Sequence, residues 1–86
     1  MIITFYGAVQ EYTQGEKSFE PDEPCATLRS LIPVLLKRYG DPFKEAVDNE
    51  RFFFLVNGRA AALSGGLNTS LKQGDKIEVI PRIEAG

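Results

Sequence analysis

The chain contains no histidine and a single cysteine, Cys25. A disulfide framework, a Cys/His zinc site, a four-cysteine iron–sulfur cluster and a Ser-His or Cys-His catalytic pair are thereby excluded. A surplus of either charge is also lacking. Ten Lys plus Arg against twelve Asp plus Glu leave a formal net charge of -2, and the basic residues are scattered, so nucleic acid is not expected as a partner. No apolar run approaches the ~20 residues of a membrane span. The opening "MIITFYGAVQEY" has neither a basic n-region nor a small-residue cleavage site, so no membrane partner and a cytoplasmic location are expected. Length is scarce too: a single domain of 86 residues buries only about 60 to 65% of its unfolded surface, leaving little room for an enclosed active site. Function is expected on the surface or at an end, with no bound cofactor or metal.

What is present reads as alternating short elements. "MIITFY" is a β-rich opening that ends at Gly7, and "EKSFEP", Glu16 to Pro21, is a more polar run suited to an edge strand, the two forming a hairpin. The two prolines and two acids of "PDEP", Pro21 to Pro24, continue neither strand nor helix. In "TLRSLIPVLLKRY", Leu28, Leu31, Ile32, Leu35 and Leu36 recur at helical spacing, Lys37 and Arg38 occupy the last turn, and Gly40 follows. Pro33 removes the bond to the Arg29 carbonyl if this helix starts at Thr27, so either a late start capped by Ser30 or a kink is expected. A second, short helix is expected to about Asp48, with Asp41 as N-cap and Pro42 at its first position. "RFFFLVNGRAAAL" is a strand, an Asn57-Gly58 turn of the I′ kind and a second strand. After a Gly74-Asp75 turn, "KIEVIP" places Ile77 and Val79 on one face and Glu78 and Ile80 on the other. The predicted fold class is α+β: a β-grasp, ubiquitin-like roll with a mixed sheet of four or five strands, one main helix packed on one face and a short second helix. The expected domain is 1–81, followed by a flexible C-terminal arm, 82–86.

Candidate chemistry is sparse. Gly65-Gly66 has no Lys-Ser/Thr after it and reads as turn geometry, not as a phosphate loop. The acidic residues Glu11, Glu16, Glu20, Asp22 and Glu23 match no calcium-loop spacing and read as a solvated face. Cys25 lies where a helix dipole stabilises a thiolate, yet with no histidine or second cysteine it reads as a small buried filler. Phe52, Phe53 and Phe54 must place at least one ring on the sheet face away from the helix, as core cover or as part of a partner patch. The tail beyond Pro81 has no pattern that folds it back. Its terminal glycine carboxylate, free of any side chain, suits a narrow channel in another protein.

In their order and spacing these segments resemble the ThiS/MoaD-type ubiquitin-like sulfur carriers, the group that contains the small subunit of molybdopterin synthase. "FYGAVQE" resembles that family's opening strand, "TLRSLIPVLLKRYG" its first helix, "FLVNGR" its central hairpin, and "LSGGLNTSLKQGDKIEVIPRIEAG" its small-residue loop, last strand, proline and glycine-ended arm. The resemblance implies a carrier and not an enzyme. An ATP-using adenylating partner of the ubiquitin-activating type would activate the Gly86 carboxylate, and sulfur transfer would make it a thiocarboxylate, an anionic nucleophile at neutral pH. It also implies insertion of Arg82, Ile83, Glu84, Ala85 and Gly86 into a partner like the molybdopterin synthase large subunit, with Tyr6, Leu63 and Ile80 forming an apolar docking patch. Molybdenum or tungsten pterin cofactor synthesis is the implied pathway. The Ser64-Gly65-Gly66-Leu67 loop leaves a carrier for cysteine synthesis open.

One residue departs from the family pattern. Ala85 stands where these carriers usually have a second glycine, and its Cβ restricts the arm's backbone. Two alternatives follow: a ubiquitin-like modifier joined through Gly86 to lysines of targets, and an interaction module whose tail is idle.

Overall fold

The computed structural model describes residues 1–82. Five strands form one mixed sheet: β1 (Ile2–Phe5), β2 (Ser18–Phe19), β3 (Phe52–Val56), β4 (Arg59–Ala60) and β5 (Lys76–Pro81), in the order β2-β1-β5-β3-β4. β1 and β5 are parallel neighbours, with Phe5 opposite Val79, and the other pairings are antiparallel. Parallel neighbours need a crossover, and the whole chain between β1 and β5 supplies it. That segment carries helix α1 (Leu28–Tyr39) and helix α2 (Asp41–Asp48). The expected β-grasp roll is the fold observed.

Period-two alternation fixes the register. Ile3 and Phe5 of β1 and Ile77 and Val79 of β5 are buried beneath α1, which contributes Leu28, Leu31 and Leu35. A one-residue slip of β5 would bury Glu78 in place of Ile77. The rings of Phe5, Tyr39, Phe43 and Phe52 meet in edge-on and tilted pairs that extend the core under α2. The Tyr39 hydroxyl is buried without a hydrogen-bond partner among the described residues. Burial first, and then the nearby Glu16, push that phenol up to about 12.

Several sequence expectations are corrected. α1 does not start late: Thr27 is the N-cap, and a reciprocal capping box links its side chain to the Ser30 backbone and the Ser30 hydroxyl to its own N–H. Pro33 therefore lies inside the helix. It is tolerated because Pro33 and Arg29 are exposed, so the carbonyl that loses its partner faces water. α2 is capped by Gly40, one residue before the expected Asp41. The hairpin of β1 and β2 pairs as expected, but β2 is only two residues long and a 3-10 turn over Gly7–Glu11 lies in its connection. β4 is likewise cut to two residues, giving way to a 3-10 turn at Ala61–Leu63. The Asn57-Gly58 turn is as expected, both residues having positive φ, 52° and 84°.

Candidate functional site: the outer sheet face at the end of β5

Among the described residues, no α-helix packs on the second face of the sheet. Even-numbered residues of β1, β5 and odd-numbered residues of β3 share it through the register, in which Phe53 lies opposite Ile80 and Leu55 opposite Glu78. Tyr6 continues β1 in extended conformation, and its N–H donates to the Val79 carbonyl at 3.0 Å. Tyr6, Ile80 and Phe53 thus form an apolar row across three strands at the C-terminal end of β5. Tyr6 is 44% and Phe53 48% exposed, and Ile80 is half-buried between them. In the next row Glu78 lies beside Tyr6, and its carboxylate pushes the Tyr6 phenol above its ordinary value.

The point where the chain leaves the sheet is tightly held. Pro81 packs over Gly7, whose φ is +56° and where an added Cβ would lie 3.4 Å from the Pro81 ring. Arg82 N–H donates to the Arg51 carbonyl at 2.7 Å, and the Arg82 guanidinium lies 5.9 Å from the centre of the Phe53 ring. The first residue of the expected arm is therefore paired to the end of β3. Ile83, Glu84, Ala85 and Gly86 lie outside the described residues.

A polar clamp positions β5 from its other end. The Asp75 carboxylate accepts from Asn57 Nδ2 at 3.0 Å and from the Lys72 N–H at 2.9 Å, while Asn57 Oδ1 accepts from the Lys76 N–H at 2.9 Å. These bonds, the one from Asn57 first, hold the largely buried Asp75 below its ordinary value.

Of the three residues expected to form the docking patch, the sheet brings Tyr6 and Ile80 together. Leu63 lies on the turn beyond β4, where it is the most exposed large apolar residue described, at 85%. Phe53 completes the row. The sequence required one ring of the Phe52-Phe53-Phe54 run to face outward, but which one depends on the β3–β5 register. The other candidate groups are structural. Cys25 is buried, and burial followed by the Glu23 charge raises its thiol. Glu16 is engaged by Arg38 through two hydrogen bonds, which lower its carboxyl. Gly65 and Gly66 adopt positive φ at a 3-10 turn. No helix among the described residues is long and apolar enough to cross a membrane.

A mixed sheet with central parallel strands, helices on one face and a bare apolar row on the other, at the strand that delivers the C-terminal segment, is the arrangement of a ubiquitin-like carrier or modifier. The chain superposes on a chain of the BexX/CysO complex from Amycolatopsis orientalis with a TM-score of 0.79 and 26% identity, covering 99% of this chain and 98% of that one. It superposes on CysO from Mycobacterium tuberculosis with a TM-score of 0.78 and 22% identity, covering 95% and 98%. For a chain of the complex of subunits 1 and 2 of molybdopterin-converting factor from Helicobacter pylori the values are 0.67 and 24%, covering 99% and 96%. No curated protein sequence matches significantly. The ThiS family model matches residues 3–84, and the chain belongs to the ThiS family.

Proposed function

We propose that this protein is a sulfur carrier whose Gly86 carboxylate is adenylated and then converted to a thiocarboxylate. The observation that carries the reading is the family match over residues 3–84, which runs through β5 and into the arm. The chemistry balances without a catalytic group on the carrier. A Gly86 carboxylate oxygen attacks the α-phosphorus of ATP and pyrophosphate leaves; hydrosulfide from the donor system then attacks the acyl carbon, AMP leaves and the S–H proton is lost to solvent. The activating enzyme supplies the ATP site. The carrier supplies the acyl group and a docking address, formed by Tyr6, Leu63 and Ile80 with Phe53. Arg82 anchors the segment Ile83, Glu84 and Ala85 that carries Gly86 into the partner. Apolar rings at the centre of a small patch are the residues on which protein association usually depends.

For the sulfur acceptor, the proposal is a molybdenum or tungsten pterin precursor, bound by a partner like the molybdopterin synthase large subunit. A second reading is a CysO-like carrier, supported by the higher TM-score and identity to the chain of the BexX/CysO complex.

Incubation with ATP, a sulfur donor and the cognate activating enzyme tests the carrier reading. Thiocarboxylation exchanges oxygen for sulfur and adds about 16 Da to the intact mass. Unchanged mass in the presence of a competent enzyme would sink it. Isopeptide-linked glycine on lysines of cellular proteins would instead identify a modifier, and a chain lacking Gly86 with undiminished function would identify an interaction module.

A further inference from the structure

Opposite charges flank the apolar residue on the outer face of β5. Glu78, Ile80 and Arg82 are alternate residues, so a carboxylate stands one row before Ile80 and a guanidinium one row after it, at a spacing of roughly 7 Å. The Arg82 guanidinium lies 5.9 Å from the centre of the Phe53 ring, and the Glu78 carboxylate lies beside the Tyr6 phenol. Neither charge enters a salt bridge among the described residues, whose two pairs are Arg38 with Glu16 and Lys44 with Asp48. Acid, apolar row and base thus follow one another along the strand at equal steps.

We propose that this face binds a second copy of the chain, in a twofold-symmetric pair whose axis runs along the row of Tyr6, Ile80 and Phe53. Rotation about that axis reverses the strand direction. Each residue of the row then faces its own counterpart, and Glu78 of each copy faces Arg82 of the other, so the contact carries two ion pairs. Packed sheets stand about 10 Å apart, a gap that extended Glu and Arg side chains together span. An axis along β5 would instead set Glu78 against Glu78 and Arg82 against Arg82, so the order of charges selects the antiparallel arrangement. The ion pairs fix the register, and the row supplies the apolar contact. Three rows across three strands span roughly 300 Å² of sheet, less than the ~800 Å² that each partner buries in a stable complex. The pair is therefore transient, with a dissociation constant on the order of 100 μM. Pairing conceals Tyr6, Ile80 and Phe53, which makes the monomer the form that meets an activating enzyme. That consequence rests on the carrier reading, whereas the pairing itself does not involve Gly86.

Sedimentation velocity of the full chain from about 20 μM to about 1 mM, with amide spectra over the same range, provides the test. The native chain is expected to pass from monomer toward dimer, with concentration-dependent shifts at Tyr6, Phe53, Glu78 and Ile80. Glu78→Arg and Arg82→Glu should each stay monomeric, because like charges then face one another. An equimolar mixture of the two variants should associate as the native chain does, since every facing pair in the mixed dimer is again opposite in sign. Glu78→Gln, which removes the charge at nearly constant size, should weaken association about fivefold. The proposal is overturned by a native chain that remains monomeric at about 1 mM, or by association that Glu78→Gln leaves unchanged. A mixture of the two folded variants that stays monomeric would overturn it as well.

Discussion

The two faces of β5 differ sharply in burial. Ile77 and Val79 are fully buried beneath α1, whereas Glu78 and Ile80, one residue away along the same strand, stand on a face that no helix among the described residues covers. The inner face holds the fold together, and the outer face can change with little consequence for folding. Its apolar side chains are thus available to a partner. In a domain this small, the division lets one strand both complete the core and present an apolar surface.

Substitutions sharpen the contrast in order of size. Ile77→Ala on the inner face should destabilise by about 3–4 kcal/mol, read as a fall in the urea midpoint, because the cavity opens under the helix where neighbours cannot collapse into it. Asp75→Ala should cost about 2 kcal/mol through loss of two hydrogen bonds to a buried carboxylate. This site also carries a pH signature. The folded value of Asp75 lies below its ordinary value of 3.8, so its contribution is present above that value and lost as pH falls through the lower folded one. Asp75→Asn should therefore show a shallower loss of stability between neutral and acidic pH than the native chain.

On the outer face the expectation reverses. Tyr6→Ser combined with Phe53→Ser should shift stability by about 1 kcal/mol or less, yet weaken association with the activating enzyme by about tenfold or more. Equal losses of stability and association would erase the distinction between the faces. The smallest effect is expected for Arg82→Ala, about 0.5 kcal/mol, from loss of the guanidinium over the Phe53 ring.

Much of this was legible in the chain. The alternation in "KIEVIP" gave both faces of β5, the Asn57-Gly58 pair gave the hairpin, and the leucine spacing gave the stripe of α1. Other features depended on neighbours that local pattern does not name. Pro33 points to a late helix start or a kink, but its penalty falls on a solvent-facing carbonyl while the Thr27 and Ser30 capping box secures the earlier start. β2 and β4 are short because a 3-10 turn follows β1 and another follows β4. At the candidate site, the family resemblance points to Tyr6 and Ile80, and the register joins them. Phe53 joins the row through the β3–β5 register, which local pattern does not specify.

Whether Gly86 carries the sulfur is decided by fragmentation of the intact chain after reaction with ATP, a sulfur donor and the cognate activating enzyme. The expected increment is about 16 Da, confined to the fragment that ends in Gly86 and absent from a chain lacking that residue. A native chain left unmodified by an enzyme competent on its other carriers, or an increment that maps to Cys25, would contradict it.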